Sequence, residues 1–257
     1  SLSSVKGIGD KAVADMFEIY QKGYSDFIDI YLAIKGTKVN GTVFRNLIKI
    51  GYFKQFGSIK KLLATVDMID SWRTGANVRK TISKSEISNL GLDGINIRKY
   101  ASDVSEKTGK VSDKQFKIFD WKGLMKALVN QISNEEFSLH EIIQFQQEEL
   151  GYIEYSNPSF DKRLVVVTKL NTNYSPKFEA FCLNNRQVSE LKIHKRKNPR
   201  DNRIKTSWAD LPLKDGDIVY MKECKKEPKR RKNSNGEWEN IPEIFDWWLN
   251  DYAIANL

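Results

Sequence analysis

The chain has 257 residues, 40% apolar and 11% aromatic, with a formal charge of +9 and a pI near 9.3. This is a globular composition that can supply two modest cores, and it excludes an intrinsically disordered chain. No apolar run reaches the ~18 residues of a membrane span and no leader pattern opens the chain, so a cytoplasmic protein with no membrane partner is expected. Cys182, Cys224, His140 and His194 are too scattered for a zinc ligand set, and two lone thiols fit a reducing compartment. The basic balance favours a polyanionic partner.

The first predicted element is a tight turn feeding a helix. In Ser4-Val5-Lys6-Gly7-Ile8-Gly9-Asp10-Lys11-Ala12-Val13, two glycines flank one apolar residue and a helical pattern follows, which is a helix-hairpin-helix signature. Gly7 and Gly9 can adopt backbone angles closed to other residues. Ile8 plugs inward, and the first amides of the helix from Asp10 to Tyr20 are left without intrahelical partners. Such amides bind phosphate, with Lys6 and Lys11 adding mobile cations, so a backbone read without regard to sequence is the expected ligand. A turn with only a packing role is the alternative.

Ala12, Val13, Met16, Phe17 and Tyr20 predict the buried stripe of this helix. Tyr24, Phe27, Ile28, Ile30 and Tyr31 mark a second helix, and Asn40 caps a third that carries Val43, Phe44, Leu47 and Ile48 and ends at Gly51. Gly51-Tyr52-Phe53 reads as a second, degenerate hairpin that doubles the grip on a phosphate backbone, with Gly51, Tyr52, Lys54, Ser58, Lys60 and Lys61 as its expected contacts. Lys54 follows it, and Gly57-Ser58 opens a helix with Ile59, Leu62, Leu63 and Val66 inward and Lys60 and Lys61 outward. Residues 1–66 hold ten Lys and Arg against five Asp and Glu, so positive charge gathers near the expected contacts.

Three stretches, "SSVKGIGDKAV", "VNGTVFRNLIKIGYFKQFGSIKKLL" and "QQEELGYIEYSNPSF", resemble in this order parts of the bacterial replicative DNA polymerases of family C, the polymerase III alpha subunits. The similarity covers roughly residues 1 to 160 with gaps and is faint in the C-terminal third, which suits a phage-encoded or divergent bacterial member. It implies a tandem helix-hairpin-helix domain, a linker, a helix ending in a Leu-Gly-Tyr type sequence and an OB-type barrel, together holding duplex primer-template that leaves the active site. It also implies a polymerase core upstream of Ser1. Magnesium and the catalytic aspartates belong to that core, so no catalytic residue and no cofactor is expected in this chain.

Residues 67–160 read as a helical linker region. Ser105 to Asp113 is polar and flexible in composition. Gln115-Phe116-Lys117-Ile118-Phe119 resembles the peptide by which replication proteins dock on the sliding clamp, with Ile118 and Phe119 filling an apolar pocket and Gln115 bonding at its rim. Alternatively Phe116, Phe119 and Trp121 begin the amphipathic helix of Leu124, Met125 and Leu128. Ser138-Leu139-His140-Glu141 is a capping box opening a helix that stops at Gly151. Its adjacent Glu148 and Glu149 point apart and read as a solvated face.

Residues 161–257 change to an extended period. Strands are predicted at Arg163–Thr168, Phe178–Leu183, Val188–Ile193 and Asp217–Met221. Asp215 and Asp217 read as turn residues rather than metal ligands. Basic loops carry Lys195, Arg196, Lys197 and Arg200, then Lys229, Arg230 and Arg231, as a secondary patch for DNA or RNA. Phe178, Phe181 and Tyr220 are the stacking candidates for single-stranded DNA. The last stretch, from Ile241 to Ile254, reads as a helix with Pro242 in its first turn, packed over the barrel.

The expected fold is therefore α+β: a helix-hairpin-helix domain at 1–66, a helical linker at 67–160, and an OB-like barrel capped by a helix at 161–257. The expected function is the DNA-binding portion of a family C polymerase. A stand-alone helix-hairpin-helix enzyme of nuclease or glycosylase type, and an adaptor for RNA or protein, are the alternatives.

Overall fold

In the computed structural model, which describes residues 2–74, 77–105, 107–173, 175–193, 208 and 211–257, the chain is α+β, with six α-helices and several sheets among the described residues. It divides into two units, Ser1–Phe137 and Ser138–Leu257.

The first unit starts with a single 3-10 turn, Leu2–Ser4, followed by α1 (Asp10–Gln21), α2 (Phe27–Ala33), α3 (Gly41–Lys49) and α4 (Ile59–Ser71). Side-chain caps start three of these helices. Asp26 accepts from the Ile28 amide, Asn40 from Val43 and Ser58 from Lys61. The core between them is aromatic. Phe44 has ring centres at 5.7 Å from Phe27, 5.2 Å from Tyr31 and 4.9 Å from Phe53. Such pairs add to plain burial. In α1 the buried positions are Ala12, Met16 and Ile19, while Phe17 and Tyr20, expected in the stripe, are exposed.

Residues 67–137 are not a helical linker. The short hairpin β1 (Arg73–Thr74) and β2 (Asn77–Val78) follows α4. Then β3 (Thr81–Ser83), β4 (Ala101–Ser102) and β5 (Gln115–Ile118) form a sheet in the order β3-β5-β4. Ile82 and Phe116 pair across it and are both buried. The helix α5 (Trp121–Val129), capped by Asp120, comes next. Lys126 reaches Asp26 at 2.7 Å and Lys122 bonds Asp29, so α5 is tied to α2. The expected linker is thus divided, with 67–137 folded into the first unit and 138–160 into the second.

The second unit opens with α6 (Leu139–Leu150), whose Ser138 and Glu141 form the expected capping box and which ends at Gly151 in the left-handed region. His140 is exposed, as is Glu148, but Glu149 is buried. Five strands follow: β6 (Leu164–Asn171), β7 (Lys177–Cys182), β8 (Val188–Ile193), β9 (Ile218–Lys232) and β10 (Trp238–Ile254). They are ordered β10-β8-β7-β6-β9, and β9 pairs again with β10, so the sheet returns on itself. All pairs are antiparallel except β8 with β10.

Val165, Val167, Phe178, Leu191, Val219 and Leu249 fill the interior. On the other face, Val166, Phe181 and Ile218 pack with Leu139 and Ile143 of α6. Burial on both faces explains the unbroken apolar run Leu164-Val165-Val166-Val167, which alternation alone would not produce.

The tail from Ile241 to Ile254 corrects the expected helix. It is most of β10, paired with β9 nearly throughout, and the helix packed against the sheet is α6. Its apolar residues fit helical spacing, but Leu249 and Tyr252 gain burial as strand residues and the backbone gains partners on β9 and β8. Pro242, which cannot donate, falls in the register irregularity between Asn240 and Phe245.

Replacing Ile82 by Ala should cost the first unit about 2–4 kcal/mol in chemical denaturation, since a fully buried branched side chain leaves a cavity. An unchanged midpoint would mean that the β3-β5-β4 sheet is not part of that unit's cooperative core.

Candidate nucleic-acid interface

The first glycine turn lies at the surface. Val5, buried, anchors it, and its amide bonds Leu2 while the Ile8 amide bonds the Val5 carbonyl, each at 3.1 Å. Gly7 has φ +81, which is why glycine stands there. Asn46 of α3 donates to the Lys6 carbonyl at 3.4 Å and fixes the turn to the helical core. Gly9 is the N-cap of α1 and supplies no side-chain cap. The Gly9 carbonyl serves Ala12 and Val13, whereas the amides of Gly9, Asp10 and Lys11 have no partner among the described residues. Lys6, Gly7, Gly9 and Lys11 are exposed and Ile8 is half-buried. Neither lysine has an acidic partner among the described residues, so the turn presents open donors beside two mobile cations, with the Asp10 carboxylate as the one opposing charge in the first helical turn.

The second turn differs from its expected form. Gly51, at φ +78, ends α3: its amide bonds Ile48 at 2.9 Å and the Tyr52 amide bonds Leu47 at 3.0 Å. That is a Schellman termination. Tyr52 is half-buried against Phe53, and burial, with Tyr20 nearby, pushes its hydroxyl above the usual tyrosine range, so it stays neutral. Lys54 is exposed.

The start of α4 is not open. Glu136 spans the Ile59 amide with both carboxylate oxygens at 3.0 Å, Asn134 accepts from the Ser58 amide at 2.9 Å, and the Ser58 hydroxyl, while capping Lys61, donates to the Glu135 carbonyl at 2.8 Å. Lys60 lies 3.8 Å from Glu135. Gly57 is needed twice over, for its φ of +151 and because a Cβ would come 3.3 Å from the Asn134 oxygen. An internal carboxylate therefore takes the place at Ser58, Lys60 and Lys61 where a phosphate was expected. A carboxylate is favoured at a helix N-terminus for the same reason a phosphate is.

Gln115, Ile118 and Phe119 do not form one docking element. Residues 115–118 are the central strand β5, in which Ile118 shares a face with buried Phe116 and Gln115 points the other way. The strand ends before Phe119, which is 63% exposed. The adjacent apolar pair that the clamp reading requires is thereby split.

In the second unit, Lys195, Arg196, Lys197 and Arg200 lie outside the described residues. Lys229, Arg230 and Arg231 stand on β9, not on a loop. Phe178 and Phe181 are buried, and Tyr220 is half-buried, packed against the core on the α6 side with its hydroxyl bonding Asp161. None of the three is a free stacking surface. Asp217 accepts from the Lys214 amide within its turn, and Asp215 accepts from the amide of Leu170 on β6. Trp238, Phe245 and Trp247 of β10 are exposed aromatics, missed as stacking candidates because the tail reads as a helix.

Residues 1–63 match the family model described as a helix-hairpin-helix motif. No curated protein and no solved structure gives a significant match. The matched motif supports nucleic-acid binding in general. No helix of the described residues is long and apolar enough to cross a membrane.

Replacing Glu136 by Gln should destabilise the first unit by about 1 kcal/mol, since the head of α4 is then left with a neutral acceptor, and Ser58→Ala should cost a similar amount. Denaturant titration of the two variants checks this, and wild-type midpoints would show that the α4 start is satisfied in another way.

Proposed function

We propose that this chain holds the sugar-phosphate backbone of duplex DNA without reading its sequence, as the DNA-retaining portion of a family C replicative polymerase. The observation that carries the proposal is the exposed Lys6–Lys11 turn, with three amides at the head of α1 and two lysines beside them that have no partner among the described residues. Backbone amides at a helix N-terminus fit a phosphate oxygen, and point-charge lysines add attraction that does not depend on the base.

Two further features support it. The matched helix-hairpin-helix motif covers the same residues. In the second unit the strands, counted in chain order from β6, run 1-2-3-5-4-1 with the third and fifth parallel, the circuit expected of an OB-type barrel. A helix-hairpin-helix region followed by such a barrel is the order that the sequence resemblance implies. The role is retention of primer-template, with one open hairpin making the grip and the second braced internally by Glu136.

The test is binding of the full chain to two labelled duplexes of unrelated sequence. Both should bind equally. Lys6→Glu with Lys11→Glu should weaken both at least tenfold and lower the slope of log affinity against log salt by about 2, since each phosphate that a lysine neutralises contributes about 0.9 to it. Unchanged affinity in the double variant would remove the hairpin from the interface.

A further inference from the structure

β9 and β10 continue past the sheet as a two-stranded ribbon. β9 pairs with β6 only over Ile218–Tyr220, and β10 pairs with β8 only at Trp248 and Leu249, but the two pair with each other out to Lys232 and Trp238. Cross-strand partners share a face, as do alternate residues of one strand. Lys226, Pro228, Arg230 and Lys232 therefore lie on one face, opposite Trp247, Phe245, Asn240 and Trp238 in that order.

This face is both aromatic and cationic. Trp238, Phe245 and Trp247 are 63%, 44% and 46% exposed. Lys226 Nζ stands 4.2 Å from the Phe245 ring centre and 6.0 Å from that of Trp247, and Lys232 Nζ is 5.7 Å from Trp238. Neither lysine has a carboxylate partner among the described residues. On the opposite face Arg231 is held by Glu239 at 2.8 Å.

Followed towards the sheet, the same face reaches the Leu249–Cys224 pair and opens into a cavity of about 270 Å³. Val165, Leu191 and Met221 wall it, and Asn185, Gln187 and Trp247 stand at its rim. Burial raises the Cys224 thiol above its usual range, so this side chain meets the cavity as a neutral group. A void of ~150 Å³ accepts a benzene ring. A pyrimidine or purine ring is therefore the right scale, with side-chain amides at hand for its polar edge.

We propose that this face binds single-stranded DNA, its bases stacked on Trp238, Phe245 and Trp247 and one base seated in the cavity at the root of the ribbon. A duplex keeps its base faces stacked on one another, whereas a single strand offers them to aromatic rings, and lysines between the rings meet its phosphates. Only the choice of DNA over RNA rests on the duplex-holding reading of the first unit.

The experiment titrates the full chain with a short labelled oligothymidylate, an abasic oligomer of equal length, an oligouridylate and a duplex. Oligothymidylate should bind and quench tryptophan fluorescence, and the abasic oligomer should bind at least tenfold more weakly. Phe245→Ala with Trp247→Ala should lose at least tenfold for oligothymidylate and leave duplex affinity within twofold, as should Lys226→Glu; all three sites are exposed, and circular dichroism will verify the fold.

Wild-type affinity in these variants, or equal binding of the abasic oligomer, overturns the proposal, and tighter binding of oligouridylate overturns its assignment to DNA. Loss of oligothymidylate binding in the ribbon variants, together with duplex binding that ignores Lys6→Glu and Lys11→Glu, would leave this site standing and refute the hairpin.

Discussion

The amides at the head of a helix have no partner within it, and how each is satisfied organises much of this protein. At α4 the answer comes from far along the chain: Asn134 and Glu136 bond Ser58 and Ile59, 76 and 77 residues away. Those bonds, with the α5 to α2 ion pairs, draw residues 67–137 into the hairpin unit. At α1 the corresponding donors stay open to the surface. One glycine turn is braced and the other is available, so the two occurrences of a similar sequence signal have different physical roles.

The same requirement acts in the second unit. Here β10 finds partners on both sides near Trp248 and Leu249, and this pairing returns the sheet on itself. The interior then fills from alternate residues of each strand while α6 covers the outer face. The residues that continue past the last pairing with β6 and β8 keep one partner strand, which leaves their side chains exposed in a regular array.

Local chemistry in the sequence was legible wherever one short segment decides it. Asn40, Ser58 and the Ser138–Glu141 capping box start helices as read, and the strands from β6 to β8 follow their apolar runs. What could not be read depends on distant partners. In the tail, Ile244, Phe245, Trp248, Leu249 and Tyr252 satisfy a helical period, and only the pairing with β9 and β8 makes them a strand. The α4 site looked like an open anion cradle because nothing near Ser58 announces Glu136. The stacking surface was sought on Phe178 and Phe181 because strand alternation does not say which face is covered; Phe178 fills the interior of the sheet and Phe181 lies on the outer face beneath α6, so both are buried.

Beyond the sheet, the outer edges of both long strands have no neighbour among the described residues, and an unprotected edge invites addition of another chain. Pro228 and Pro242 withhold donors there, Glu243 at φ +60 distorts the line, and the flanking lysines and arginines repel a like-charged copy. The composition that makes this arm suited to a polyanion thus also guards it against fibril-type stacking with itself.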